Sequence, residues 1–124
     1  MTESQSALVA ISIDQRKNRI RIYKSLLQHL GFPKYIQLLV NPSNKCVAIK
    51  VVEKRSPGDQ SERIKPIELM VNDCCELYSK SFIKKLCEVY GTLDPHYTYR
   101  LTGKIVHTHN MAVFSLESLT PVEM

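Results

Sequence analysis

The sequence lacks the features that mark several protein classes. Its four glycines stand singly, so it has no glycine-rich loop of the kind that cradles phosphate groups. Its four cysteines include no C-x-x-C pair, the usual spacing of a structural zinc site. No apolar run approaches the roughly 18 residues of a membrane-spanning helix. The polar residues 1–6 lack the basic and apolar regions of an export signal, which predicts a cytoplasmic protein with reduced thiols and no membrane partner.

What the chain does contain is typical of one soluble domain, residues 1–124. Of these residues, 44% are hydrophobic and 23% are charged, a composition that supports a packed core. The charge is unevenly placed: residues 8–55 hold ten Lys and Arg against two acidic residues, a net charge of +8, whereas residues 56–124 carry a net charge of −2. A basic half beside a mildly acidic half predicts a polyanionic partner or self-association, and a solvated basic face is the alternative.

The first half has the pattern of two hairpins joined by a short helix. Apolar and polar residues alternate in its strands with the period of two that a half-buried strand requires. The predicted strands are residues 8–14, 19–23, 35–40 and 46–52. Ser25 and Gly31 suit the start and the end of the leucine-rich helix between the hairpins.

The second half repeats this order of elements after a polar interval, residues 56–66, which is predicted as a linker. The predicted strands are residues 67–71, 74–78, 97–106 and 112–116. The helix is capped by Ser79 or Ser81 and ends at Gly91. Gly103 is expected to interrupt the long strand as a bulge.

The two halves can be aligned as an internal repeat, with residues 8–55 as the first copy and residues 67–118 as the second. The aligned segments are residues 24–30 with 80–86, 33–35 with 95–97 and 44–47 with 110–113. This alignment predicts a β-rich α+β fold built from two β-β-α-β-β repeats. Chance similarity between two short amphipathic helices is the alternative.

The first copy resembles the AbrB/MazE/MraZ swapped-hairpin superfamily. The resemblance lies in I-S-I-D at residues 11–14, N-R-I-R-I at residues 18–22, the leucine-rich helix and the hairpin that follows. Two copies in one chain are similar to the MraZ arrangement. The resemblance implies a swapped-hairpin barrel, a homodimer of the whole chain, and transcriptional control or an antitoxin role in a bacterium. The second copy has no arginine in its turn at Asn72 and Asp73, so DNA contact is expected from the first copy.

The candidate DNA-binding residues are Arg16, Lys17, Arg19 and Arg21. Lys17, Arg19 and Arg21 alternate with other residues at a spacing of about 7 Å on one side of a strand, close to the spacing of phosphates along one DNA strand. Arginine also binds guanine through two hydrogen bonds in the major groove. Double-stranded DNA is therefore the predicted partner, and an outward-facing, solubilising strand is the alternative.

Other reactive residues give weaker signals. His107 and His109 form an H-x-H pair, but two ligands without a third do not define a metal site. Cys74 and Cys75 have no neighbouring basic group that would lower a thiol pKa, which favours structural burial. His96 follows an acidic residue closely but has no nucleophile in a strained turn beside it. The sequence therefore predicts neither an enzyme nor a cofactor.

Two functions of different class follow from these observations. The first is a DNA-binding transcriptional regulator of the AbrB/MraZ-like type, which the basic first copy favours. The second is a protein-interaction module, antitoxin-like or accessory, that does not bind DNA directly. The acidic second copy and the linker favour this alternative.

Overall fold

Nine antiparallel strands form one sheet that curls into a nearly closed barrel of eight strands in the computed structural model, which describes residues 8–53 and 61–122. The strands are β1 (Leu8–Asp14), β2 (Arg19–Tyr23), β3 (Tyr35–Asn41), β4 (Cys46–Val52), β5 (Ser61–Arg63), β6 (Cys74–Tyr78), β7 (Thr98–Val106), β8 (Met111–Ser115) and β9 (Thr120–Val122). The helices are α1 (Lys24–His29), α2 (Pro66–Asn72) and α3 (Lys80–Tyr90). None of these three described helices has the length and apolarity that a bilayer crossing requires. The prediction of a β-rich fold with a minority of helix is confirmed.

Strands from the two halves of the chain interleave. The order across the sheet is β5-β3-β4-β8-β7-β1-β2-β6, and β9 pairs with β7. The β1–β2 hairpin therefore lies between β7 and β6, and β4 pairs with β8. Within the sheet, the two hairpins of the first half meet only through strands of the second half.

One hydrophobic core serves both halves. The inward side chains of β1 and β2 are fully buried, because alternate residues of each strand face the barrel interior. Two leucines of α1 and three apolar residues of α3 join the same core. These helix residues are Leu26, Leu27, Phe82, Ile83 and Leu86. Burial of each such side chain contributes about 1.5–3 kcal/mol, so the barrel and the helices stabilise one another.

The end signals of α3 were predicted correctly. The hydroxyl of Ser79 accepts a hydrogen bond from the backbone N–H of Phe82 at 3.2 Å, which identifies Ser79 rather than Ser81 as the cap. The helix ends at Gly91, whose φ of 122° is positive. A glycine adopts this conformation without the steric penalty of a side chain.

The prediction of a strand at residues 67–71 is wrong, because this segment lies within α2. Pro66 occupies the first turn of the helix, where its missing N–H costs nothing. Asp73 ends the helix in the left-handed region with φ of 58°. Of the alternating apolar residues that suggested a strand, only Leu69 is buried, whereas Ile67 and Val71 lie on the exposed side of the helix together with Met70.

The described part of the predicted linker contains regular structure. Residues 61–63 form β5, which pairs with β3, and the next residue, Ile64, is buried in the core. Residue 66 already belongs to α2. The rest of the predicted linker, residues 56–60, lies outside the described residues.

The predicted bulge at Gly103 is also absent, since β7 pairs with β1 without a break from Tyr99 to Lys104, and its pairing with β8 runs from Gly103 to Val106. Gly103 lies opposite Val9 of β1 and Phe114 of β8. A Cβ atom at this position would meet the backbone of Val113 and would lie 2.7 Å from the ring of Phe114. Glycine is therefore required by the close approach of β8, not by a kink in the strand.

Candidate nucleic-acid interface

The turn between β1 and β2 presents two of the four predicted residues to solvent. Residues 15–17 form a single 3-10 turn, and Asn18 follows in the left-handed conformation with φ of 52°. Asparagine tolerates this conformation better than most residues with a side chain. Arg16 and Lys17 are exposed. Lys17 belongs to the turn, so it does not share a strand face with Arg19 and Arg21 as predicted.

Arg19 and Arg21 point outward from β2, as predicted, but both are held by carboxylates. Arg19 lies 3.1 Å from the buried carboxylate of Asp14 and 3.7 Å from that of Glu76. Arg21 donates two hydrogen bonds to one oxygen of Glu76, at 2.6 Å and 3.1 Å. Glu76 stands directly opposite Arg21 in the register of β2 and β6. The two arginines therefore tie three neighbouring strands together.

The ionisation of this cluster reflects its hydrogen bonds. The hydrogen bond from Arg21 holds the pKa of Glu76 below its ordinary value. The same bond raises the pKa of Arg21. The hydroxyl of Tyr78 also donates to Glu76, at 3.2 Å. Glu76 is therefore a carboxylate at neutral pH, and it offsets positive charge that the sequence pattern assigned to DNA.

Two lysines from the second half extend the basic surface at the turn. The backbone N–H of Ser79 donates to the carbonyl of Asn18 at 3.0 Å, which places the start of α3 beside the β1–β2 turn. Lys80 and Lys84 are exposed and stand four residues apart, so they share one face of α3. The helix dipole adds a partial positive charge at the same end.

We call Arg16, Lys17, Lys80 and Lys84 the basic edge. Sequence reasoning missed the two lysines because the contact that brings them to the turn joins residues distant along the chain. The one signal available was the four-residue spacing of the lysines on a predicted helix. The structure thus places the start of α3, which carries these two lysines, beside the turn that carries two of the predicted residues.

The other reactive side chains lie apart from the basic edge or form no cluster. His107 and His109 lie exposed in a 3-10 turn, and no group of three or more potential metal ligands occurs among the described residues. All four cysteines are free thiols, and Cys74 and Cys75 are buried, as predicted. Burial raises the pKa of Cys75 to about 11, so its thiol is protonated at neutral pH.

Comparison of the chain with known protein families, curated proteins and solved structures gives no match. The resemblance to the AbrB-like superfamily therefore stays a prediction from the sequence. Inferences about function depend on the charge and shape of the surfaces described above.

Proposed function

We propose that the protein binds duplex DNA through the basic edge, as a transcriptional regulator of the AbrB/MraZ-like type. The observation that supports this proposal is that the turn carrying two exposed cations lies beside the start of α3, which carries two more. Among the described residues, none of the four forms an ion pair. Their charge is therefore available to phosphates, in contrast to the charge of Arg19 and Arg21.

The shape of the turn suits a groove of DNA. A two-stranded ribbon enters the major groove of B-DNA, which is about 12 Å wide. The β1–β2 hairpin is flanked by β7 and β6, so in this proposal only its tip, which carries Arg16 and Lys17, approaches the groove. In this proposal Lys80 and Lys84 bind the neighbouring phosphates, because α3 begins beside the turn.

The strand order supports a swapped-hairpin origin for the barrel. In this proposal β5-α2-β6 corresponds to the β1–β2 hairpin, and the β7–β8 hairpin corresponds to the β3–β4 hairpin. Exchanging the two copies gives the same order around the ring when it is read in the opposite direction. A homodimer of the whole chain, in a bacterial cytoplasm, presents the basic edge twice and so matches a two-fold DNA site.

The test is the affinity for a labelled duplex, measured by fluorescence anisotropy at several salt concentrations. The double variant Arg16→Ala, Lys17→Ala should weaken binding and reduce the slope of log affinity against log salt by about two, since each phosphate contact contributes about 0.9. The double variant Lys80→Ala, Lys84→Ala should have a similar effect.

The matched control removes two exposed lysines elsewhere on the barrel. Lys50 lies on β4 and Lys104 on β7, where Lys104 pairs with Leu8 at the end of β1 remote from the turn. The double variant Lys50→Ala, Lys104→Ala should leave the slope unchanged. Absence of binding at about 50 mM salt, or an equal loss in the control, contradicts the proposal.

The second candidate function is a protein-interaction module without DNA binding. The ion pairs of Arg19 and Arg21 favour it, because they leave only Arg16 and Lys17 of the predicted residues free of carboxylate partners. A duplex that fails to bind at low salt supports this second function.

A further inference from the structure

Helix α2 exposes an apolar face that no described part of the chain covers. Ile67, Met70 and Val71 are 63%, 78% and 72% exposed. They stand at positions i, i+3 and i+4, so they lie on one side of the helix. Singly exposed apolar residues are ordinary on protein surfaces, but a group on one face marks an interaction site.

A cleft adjoins this face and continues its apolar character. The cleft has a volume of about 280 Å³ and lies between α2 and the segment that follows α1. Its apolar walls include Phe32, Ile64, Leu69 and Met70. Met70 belongs to both the helix face and the cleft, which makes them one continuous surface.

Phe32, at the wall of the cleft, has an uncommon backbone conformation. Phe32 adopts the left-handed region with φ of 51°, which is rare for a bulky residue. Its backbone N–H donates to the carbonyl of Leu27 at 2.8 Å, which fixes the turn after α1. The result is an aromatic side chain that is 49% exposed at the wall of the cleft. Strained residues of this kind concentrate at binding sites.

Lysines lie along the edge of the apolar surface, and two acidic residues lie near it. Lys24 and Lys34 line the cleft, no acidic residue among those that the structure describes does so, and Lys65 is exposed immediately before α2. The nearby acidic groups are Asp73 and Glu68. Asp73 is exposed at the end of α2, and the carboxylate of Glu68 accepts a hydrogen bond from the backbone N–H of Glu76. The surface therefore combines an apolar centre with lysines at its edge.

We propose that this surface, formed by Phe32, Ile67, Met70, Val71, Lys24 and Lys34, binds a protein segment with large apolar side chains flanked by Asp or Glu. Apolar side chains of the partner fill the cleft, and its carboxylates face the lysines. Complementary charge of this kind gives specificity and speeds association. The inference is independent of the proposed DNA binding, since it uses none of the residues of the basic edge.

A second copy of this chain is a poorer occupant. A two-fold interface places the same patch on both partners, so Lys24 and Lys34 of one copy lie near those of the other. Juxtaposed like charges oppose such an interface. An acidic partner removes this repulsion.

The test begins with a displayed library of random 16-residue peptides, selected against the full chain. Enriched peptides should combine Asp or Glu with large apolar residues. A labelled enriched peptide is then titrated against variants by fluorescence anisotropy. Met70→Glu places a charge in the centre of the patch and should weaken binding at least about tenfold, as expected for a central anchor. Lys34→Glu should weaken it by a smaller factor, and a peptide with Lys in place of its acidic residues should then regain affinity.

The matched control is Leu8→Glu, which adds the same charge at another exposed apolar residue, 84% exposed on β1. Its peptide affinity should stay within about twofold of the wild type, because a charge outside the patch acts only at long range. Circular dichroism verifies that each variant folds, and Val71→Glu replaces Met70→Glu if the latter does not. Duplex affinity of the Met70→Glu variant should be unchanged, which separates this surface from the basic edge.

Three results overturn the proposal. The first is a selection that enriches no peptide, or only peptides without acidic residues. The second is an enriched peptide whose affinity is the same for the wild type and for Met70→Glu. The third is sedimentation that shows a dimer for the wild type and a monomer for Met70→Glu, which identifies the patch as an interface between copies of this chain.

Discussion

The connection between β1 and β2 and that between β5 and β6 occupy comparable places in the two halves but differ in form. The first is a three-residue 3-10 turn, and its strands pair with each other. The second is the seven-residue helix α2, and the described residues of β5 and β6 do not pair with each other. The turn makes a closed hairpin with a charged tip, whereas the helix leaves a seam in the barrel and an apolar surface. The two connections thus give the two halves of the chain different surfaces.

The seam between β5 and β6 is partly protected by side chains. The cleft along it has a volume of about 320 Å³. The carboxylate of Glu68 accepts a hydrogen bond from the backbone N–H of Glu76 at 3.2 Å, which covers one donor on the edge of β6. The hydroxyl of Ser61 is buried and has no hydrogen-bond partner within the described residues. Side-chain cover of this kind limits edge-to-edge pairing with other chains.

The largest effects are expected from a comparison of how firmly α1 and α2 are packed against the core. Leu27 of α1 is fully buried, whereas Leu69 is the one buried residue of α2 and is 6% exposed. Leu27→Ala should lower the free energy of unfolding by about 3–5 kcal/mol, because it leaves a cavity in a closed part of the core. Leu69→Ala should cost about 2–3 kcal/mol, because the neighbouring seam allows the site to relax.

Urea denaturation monitored by circular dichroism measures both values. Leu8→Ala, at an exposed position of β1, is the control for nonspecific effects of removing a leucine. Equal losses for Leu27→Ala and Leu69→Ala mean that α2 is as firmly packed as α1, which contradicts the contrast drawn between the two connections.

The sequence predicted the first half more completely than the second, for a physical reason. In β1 and β2 apolar and polar residues alternate because one face of each strand contacts the core and the other is the outer face of the barrel. This alternation predicts the strands directly. In α2 apolar residues lie on the exposed side as well as on the buried side. The spacing of apolar residues along the sequence therefore indicates neither that this segment is a helix nor which side of it is buried. Pro66 was the remaining signal for a helix start, since proline is favoured in the first turn.

The candidate site shows a similar limit. Exposure of Arg16 and Lys17 follows from a polar turn, which local sequence reveals. Neutralisation of Arg21 by Glu76 depends on the pairing of β2 with β6, which no local pattern reports. The approach of Lys80 to the turn depends on the same pairing. Charge counted along the chain therefore overstated the positive surface of β2 and missed part of the basic edge.

The next prediction concerns the arginine nearest the buried carboxylate. Arg19→Ala should lower the free energy of unfolding by about 2 kcal/mol, because it leaves Asp14, whose side chain is 5% exposed, without its ion-pair partner. Urea denaturation at neutral pH measures this loss. Arg16→Ala is the control, since Arg16 is exposed in the turn and should change stability by less than about 0.5 kcal/mol.

For duplex binding the order of the two variants should be reversed: Arg16→Ala should have the larger effect and Arg19→Ala the smaller. Arg16→Ala should weaken binding and reduce its salt dependence, whereas Arg19→Ala should act on stability. If Arg19→Ala instead leaves stability unchanged and weakens duplex binding more than Arg16→Ala does, β2 itself contacts DNA. The basic edge is then not the DNA-binding surface.

The smallest effect is expected for the ion pair that joins the halves on the outer face. The side chains of Arg21 and Glu76 are 35% and 30% exposed, so solvent screens their attraction, and a double-mutant cycle should give a coupling of about 0.5–1 kcal/mol. The cycle uses Arg21→Gln, Glu76→Gln and the double variant, each measured by urea denaturation.

The pKa of Glu76 is lower in the folded protein than its ordinary value of 4.5. Stability from the pair is therefore fully present above about pH 5 and is lost as the pH falls through the folded pKa. A coupling that stays constant from pH 7 to about pH 3, or one that survives about 1 M salt undiminished, means that packing rather than charge joins β2 to β6.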